Sequence, residues 1–479
     1  MATVLCWFHQ DLRIGDHPAL AAAMASGHHV VPVYILDDGA AGDWAMGGAS
    51  RWWLHHSLDD LARGFERLGS KLILRKGDAL RILPQLAKET DAAALYTHSR
   101  GEPWSKAQLA AVTDALARQN IPTHVENGCF LKNFGDVLSK ASTRMKVFTP
   151  FKRNLLSQGG MRAVLPRPQA LPSPSSWPTS ALLDELELLP RNPDWSGGLV
   201  QTWRVGEAAA MQRLDDFLDE AVNMYGTSRD RPSIKGTSRL SPHLHFGEIS
   251  PVTVFHAVMD HAGGAPSADA ETFISEVVWR EFSYELLDQF AAMPQQPLRP
   301  EFDRFPWRQD YKDDLVAWQQ GRTGYPLIDA GMRELYETGW MHNRVRMITA
   351  SFLTKHLLIP WQEGARWFHD TLVDADLASN SAGWQWVAGC GADASPYFRV
   401  FNPITQGQKF DAGAYVRQWV PEVSGLDDRS IFAPFDAPEG LCLSAGIRLG
   451  KTYPMPLVDH ASGRARALDA FARIKSSDI

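Results

Sequence analysis

Four short stretches of this chain gather residue types that bind anions, stack on flat rings or tune charge. Gly236-Thr237-Ser238-Arg239-Leu240-Ser241-Pro242 sets hydroxyls around an arginine just ahead of a helix start. Backbone N–H groups, hydroxyl donors and one cation suit a phosphate, although Thr237, Ser238 or Ser241 serve equally as plain helix N-caps. Glu276 and Trp279 stand at i, i+3 and so share a helix face. An acid beside an indole suits stacking on a base and hydrogen bonding to its edge; a core tryptophan next to a solvated glutamate makes the same pattern. In Trp340-Met341-His342-Asn343-Arg344-Val345-Arg346-Met347, Asn343 and Met347 share a face at i, i+4. Arg344 and Arg346 point elsewhere, one suited to a phosphate and one to a buried acid, or both simply to solvent. Finally, Asp374 to Trp386 packs two acids, an amide and two tryptophans into 13 residues. That is too few aliphatic residues for core packing to explain. Arg399, Gln406 and Lys409 follow. No HExxH, GxSxG, Walker loop or catalytic Cys/His pair occurs.

The elements that must position these residues divide along the chain. The first 130 or so residues alternate strand and helix patterns. Strands are predicted at Val4–Phe8, His29–Leu36, Lys71–Arg75, Ala93–Thr97 and Pro122–Val125. Between them lie helices at Pro18–Met24 (Asp16 the expected N-cap), Ser50–Leu68, Ala79–Lys88 and Ser105–Gln119. Such alternation predicts an α/β domain with a doubly wound parallel sheet over 1–130. No GxGxxG follows the first strand, so a standard dinucleotide site is not expected there. Residues 131–197 hold a proline- and serine-rich stretch read as a long interdomain linker. From about Gly198 helical periodicity takes over, predicting a larger all-α domain over 198–479. Helices are expected at Gly206–Met224, Pro251–Met259, Ala268–Phe290, Leu327–Glu337, Met341–His356 and Gln362–Leu372.

The chain has 479 residues and a net charge of -7, which argues against coating nucleic acid by overall charge but leaves room for a local basic groove. Its four cysteines are scattered, without metal spacing, and no metal is expected. No apolar run approaches the ~20 residues of a membrane span, and no signal peptide is evident, so a cytoplasmic protein is expected. The 17 tryptophans exceed ordinary packing needs; core filler, stacking platforms and electron carriers all remain open.

Taken in order, these stretches resemble the DNA photolyase/cryptochrome flavoproteins over nearly the whole chain. The resemblance rests on Trp7-Phe8-His9-Gln10-Asp11-Leu12-Arg13, Lys146-Val147-Phe148-Thr149-Pro150-Phe151 and Gly236 to Ser241. It continues through Trp279-Arg280-Glu281-Phe282, Thr323-Gly324-Tyr325-Pro326, Trp340 to Met347, Asn380 to Trp386 and Tyr397 to Pro403. It implies an α/β antenna-binding domain and a helical domain that holds FAD. Asn343, Met347, Asn380 and Trp386 match the cyclobutane-dimer repair pattern, whereas His342 lies beside the active face. The implied reading is a class I cyclobutane pyrimidine dimer photolyase. The alternatives are a cryptochrome-like blue-light photoreceptor, a (6-4) photolyase or a flavoprotein that only binds nucleic acid; Ser241-Pro242-His243-Leu244-His245-Phe246-Gly247 is shared with the first two.

The resemblance further implies residue roles. FAD, active as reduced anionic FADH-, has its diphosphate on Thr237, Ser238, Arg239, Leu240 and Ser241, with Tyr225 nearby. Asn380 sits at flavin N5, Arg346 and Asp374 pair beside the ring, and Trp279, Arg280 and Asp376 complete the cofactor site. Glu276 is expected to hydrogen-bond a pyrimidine carbonyl and stabilise the radical anion. Trp279 and Trp386 stack on the flipped dimer, which Asn343 and Met347 also touch. Arg229, Arg344, Arg399 and Lys409 meet flanking phosphates, and Trp384, Trp361 and Trp307 carry electrons from the surface. A second antenna chromophore is expected, whether folate, deazaflavin or flavin. The expected partner is DNA containing pyrimidine dimers, and the expected state a monomer with no membrane contact.

Overall fold

Alternating β-branched and aromatic residues build a five-stranded parallel sheet from β1 (Thr3–Phe8), β2 (His29–Leu36), β3 (Ile73–Lys76), β4 (Ala92–His98) and β5 (Thr123–Glu126). The structure, a computed structural model, describes residues 2–476. The strand order is β3-β2-β1-β4-β5, with Leu5 beside Val31 and Leu95. Crossovers on both sides of β1 bury its two faces. Leu5 and Trp7 join Val31, Val33, Ile73, Leu83, Leu86, Leu95, Val112 and Leu116 in one core cluster. On the other face, Phe8 meets Phe65 edge-on at 5.5 Å.

The helices around the sheet are α1 (Pro18–Ala25), α2 (Gly48–Arg67), α3 (Ala79–Glu89) and α4 (Pro103–Ala117). Asp16 does not cap α1. His17 does, its Nδ1 accepting from Leu20 N at 3.0 Å. Asp16 stands at φ 48, which turns its carboxylate toward Arg162 and the Leu165 N–H instead.

The segment expected as a bare linker contains α5 (Phe148–Ser157). Its proline-rich remainder runs irregularly along the sheet-bearing part, where Leu74 N donates to Ser180 Oγ and Ala181 N to Leu74 O, both at 2.9 Å. Proline suits this path because it needs few ladder hydrogen bonds.

Helices then dominate: α6 (Glu207–Glu220), α7 (Pro251–His261), α8 (Ala268–Gln289), α9 (Pro326–Thr338), α10 (Asn343–Ser351), α11 (Trp361–Thr371), α12 (Leu377–Ala388) and α13 (His460–Ser476). The single helix expected over Met341–His356 starts two residues later, because His342 is its N-cap, with Nδ1 accepting from Arg344 N at 3.2 Å. It also ends as a π-turn over Phe352–His356. Such widened turns mark functional or strained places, and this one buries Lys355 and His356. The fold is therefore an N-terminal α/β part and a larger α-helical part. No helix among the described residues is long and apolar enough to cross a membrane.

By internal packing the chain forms two compact units. The first holds the described residues up to Asn223, Ser238–Ala291 and Val373–Ala378; the second holds Met224–Thr237, Ala292–Leu372 and the described residues from Ser379 on. This grouping differs from a cut at 130 and 197, because α6, α7 and α8 belong with the sheet-bearing unit.

Candidate functional site

In the first unit, α8 presents Glu276 and Trp279 side by side, both half-buried. The Trp279 indole is not loose. One face lies flat on Phe148, with centroids 3.6 Å apart and planes 5° apart, and its edge meets Phe282 at 5.7 Å. Arg280 turns the other way. Its Nη1 donates to the Cys129 carbonyl at 3.0 Å, and its guanidinium lies over Phe130 and Tyr284.

Asp376, just ahead of α12, accepts a short hydrogen bond from Tyr284 and lies 3.7 Å from His245. Burial alone would raise its pKa, but His245 and Arg280 hold the carboxyl far below the usual range. The network continues: the Gln10 amide meets His245 Nε2 at 3.0 Å, and Arg100 pairs with Glu102 and Gln10. Asp374 is also buried.

Nearby, Asp11, His17 and His98 form a wholly buried cluster. His98 Nδ1 lies 2.6 Å and His17 Nε2 3.2 Å from Asp11 Oδ2. The other ring nitrogens accept the Ala19 and Leu20 N–H groups. Both rings are therefore neutral, and His98 hydrogen-bonds Asp11. Burial lowers the pKa of His98 to about 3, in keeping with that arrangement. The cluster is a buried polar network beside the turn after β1.

The strip Gly236–Ser241 passes from the second unit into the first. Gly236 is pressed so closely on Ser228 that an added Cβ would meet its carbonyl oxygen at 2.7 Å; only glycine allows this approach. None of the hydroxyls caps the short helix Ser241–His245, whose N-cap is Leu240. Ser238 Oγ accepts from Leu240 N at 3.4 Å, and Arg239 adopts φ 51. In the first unit, Arg239 and Arg213 lie over the same Trp203 ring, at 5.9 and 5.6 Å. Burial and then Arg239 lower the pKa of Arg213. Two guanidiniums beside a turn of hydroxyls fit a diphosphate, the charged middle of FAD.

In the second unit, the proposed phosphate contacts Arg229, Arg344 and Lys409 converge. Arg344 grips Asp230 with Nε to Oδ1 at 3.2 Å and Nη2 to Oδ2 at 2.7 Å. Arg229 Nε lies 3.9 Å from the same carboxylate and its guanidinium lies over Tyr225. Arg344 and Lys409 both sit over Phe410, at 4.6 and 5.1 Å. Asn343 is exposed and Met347 half-buried, and Arg346 Nε donates to Met341 O at 2.7 Å. Arg399 is exposed, and its carbonyl accepts from the buried Lys355 Nζ at 2.9 Å.

Helix α12 sorts its side chains by turn. Asn380 Nδ2 donates to Ala365 O at 2.9 Å, which leaves its carbonyl oxygen to face elsewhere. Trp384 is buried against Phe368 and Trp318, at 5.0 and 6.2 Å. Gln385, between the two tryptophans, is wholly buried; it donates to the Met293 and Gln296 carbonyls and accepts from Leu298 N. Trp386, half-buried, faces another side. Trp361 opens α11 in the core, and Trp307 is half-buried against Phe305 at 4.4 Å.

Asp230, Lys355, Gln385 and the stacking role of Phe148 escaped the sequence reading. Phe148 and Gln385 left a signal, each lying in a motif already singled out.

Residues 4–174 match the DNA photolyase family model and residues 273–473 that of the FAD binding domain of DNA photolyase. The chain is 46% identical over 99% of both lengths to a deoxyribodipyrimidine photo-lyase of Agrobacterium fabrum. It is 34% identical to Arabidopsis thaliana cryptochrome-1, over 98% of this chain and 70% of that protein. A solved bacterial class III photolyase from Agrobacterium tumefaciens superimposes with a TM-score of 0.96 at 46% identity, covering 99% of this chain and 98% of the other. That similarity corrects the class I expectation toward class III: the motifs on which the expectation rested, Asn343/Met347 and Asn380/Trp386, were not enough to separate these classes. With both halves matched and a relative aligned from end to end, the chain belongs to the DNA photolyase family.

Proposed function

We propose that the protein repairs cyclobutane pyrimidine dimers in DNA, driven by light absorbed at FAD. The observation that carries this reading is the end-to-end similarity to a photo-lyase. FAD, when bound and fully reduced, supplies the electron that opens the dimer and takes it back afterwards. No nucleophile of the protein is needed; its residues bind, orient and exclude water.

Tyr225, Thr237, Ser238, Arg239, Leu240 and Ser241 hold the diphosphate. Asn380, Arg346, Asp374, Asp376, Trp279 and Arg280 contribute to the cofactor site. The dimer leaves the duplex at a cost of a few kcal/mol, least where stacking is already damaged. Trp279 and Trp386 stack on it, and Asn343 and Met347 complete its contacts. Glu276 hydrogen-bonds the carbonyl edge, where a preorganised group acts as charge arrives. Arg229, Arg344, Arg399 and Lys409 meet phosphates, which positions DNA without reading sequence. Trp384, Trp361 and Trp307 carry electrons to the oxidised cofactor, and a second chromophore (folate, deazaflavin or flavin) serves as antenna. The protein acts as a monomer.

The cryptochrome-like photoreceptor remains a second reading, favoured by the similarity to cryptochrome-1. Chemically reduced protein, blue light and an oligonucleotide with one thymine dimer separate the two. Repair with many turnovers, absent in the dark, is expected. Dimers that persist under light while the flavin stays bound and reduced refute the repair reading.

A further inference from the structure

We infer that Phe148 is a positioning residue: it holds the Trp279 indole as a fixed platform for the flipped pyrimidine and so helps set selectivity for dimers. This rests on the stacking role proposed for Trp279. The rings of Phe148 and Trp279 are nearly parallel, 3.6 Å apart at 5°. Phe148 is 8% exposed, whereas Trp279 is half-buried, so Phe148 backs an indole that still reaches solvent. Phe282 meets both rings edge-on, at 5.9 Å and 70° from Phe148 and 5.7 Å and 74° from Trp279. The indole is thus braced on one face and along an edge.

The brace itself is pinned in register. Helix α5 lies along α8 so that Lys152, one turn after Phe148, donates to Ser275 Oγ at 2.6 Å, one turn before Trp279. On the other side of Phe148, Arg144 pairs with Glu285 and Gln289 donates to the Met145 carbonyl at 3.2 Å. Sliding α5 by one turn would break the Lys152–Ser275 pin and leave the indole unsupported.

A ring held upright has little rotamer freedom left to lose when a base stacks on it, and that lost freedom otherwise opposes binding. An aliphatic side chain of similar volume keeps the apolar contact but not the flat face, since aromatic pairs gain from geometry beyond burial. A purely structural phenylalanine would give a different pattern: its replacement would lower stability and spare discrimination.

The test measures dark binding to one oligonucleotide with and without a thymine dimer, at several salt concentrations, using FAD-loaded protein. Phe148→Leu should lower the ratio of damaged to undamaged affinity roughly 3- to 10-fold, with the salt slope and the flavin spectrum unchanged. Phe148→Tyr, which keeps the face, should stay within about two-fold of wild type. Trp279→Ala should lower the ratio roughly 5- to 100-fold, and adding Phe148→Leu to it should cost nothing more. If Phe148→Leu does not fold, Phe148→Met takes its place. Wild-type selectivity in the Leu or Met variant, with Trp279→Ala impaired, overturns the inference and leaves the reading of Trp279 intact. Equal losses in the Leu and Tyr variants also overturn it. Wild-type selectivity in Trp279→Ala removes the stacking role of that residue and the inference with it.

Discussion

If Arg229 and Arg344 meet DNA phosphates as proposed, the carboxylate of Asp230 sets how much of their charge is available. Arg344 holds it with two hydrogen bonds, at 3.2 and 2.7 Å, and Arg229 lies 3.9 Å away. Two cations and one acid give the trio a net charge of about +1. Each phosphate neutralised on duplex DNA contributes about 0.9 to the slope of log affinity against log salt. Arg344→Ala should therefore flatten the slope by about 0.9, for damaged and undamaged DNA alike. Asp230→Asn should steepen it by about 0.9, because one negative charge is removed from beside the two arginines. Between 50 and 200 mM salt that adds about a 3.5-fold loss of affinity to the loss of the wild type. The double variant keeps only Arg229 and should return to the wild-type slope. The pair is partly exposed, at 20% and 31%, so breaking it should cost only about 0.2–1 kcal/mol of stability and all three variants should fold. Titrations at four or more salt concentrations read the slopes directly. An unchanged or flatter slope for Asp230→Asn would show that the trio does not face phosphates.

Trp384→Phe should cost less than about 1.5 kcal/mol of stability yet nearly stop photoreduction of oxidised flavin, while repair by chemically reduced enzyme continues. Photoreduction at the wild-type rate would remove Trp384 from the electron path. An added Cβ on Gly364 would overlap the Trp384 indole, so Gly364→Ala should cost roughly 1–3 kcal/mol and slow the same photoreduction; a wild-type melting curve and rate would contradict this packing. Glu276→Ala should bind FAD normally but lower repair per photon, its ground being a loss of about 3–4 kcal/mol of preorganised stabilisation; an unchanged yield in saturating DNA excludes that role. Lys355 is buried, and burial followed by Arg399 pushes its pKa down to about 7, below an unfolded value of about 10.4. The unfolded chain then binds more protons between about pH 7 and 10, so stability rises with pH across that window. Lys355→Met should flatten that rise by an amount on the order of 4 kcal/mol, read by denaturant unfolding at pH 6.5 to 10; parallel profiles for the two proteins would refute it.

The order of the α/β elements and the helical takeover were legible in local patterning. Periodicity is a local property: Leu5, Trp7, Val31 and Val33 announce strands whatever lies around them. It also carried the phosphate-suited strip Gly236–Ser241 and the Glu276/Trp279 and Asn343/Met347 faces, because helix geometry alone puts residues at i, i+3 and i+4 together. Helix ends were less legible. A cap depends on which side chain reaches the first N–H groups, and at α1 that was His17 because Asp16 is drawn away by Arg162 and Leu165. The partners that come from distant segments emerge only from packing. Asp230 on Arg344, Lys355 under the Arg399 carbonyl, Gln385 in the 293–298 turn and Phe148 on Trp279 each join residues more than 40 positions apart. Nothing in the local spacing of either residue encodes such a meeting. It follows from how whole helices dock, and docking is set by the summed fit of many buried side chains rather than by any one motif.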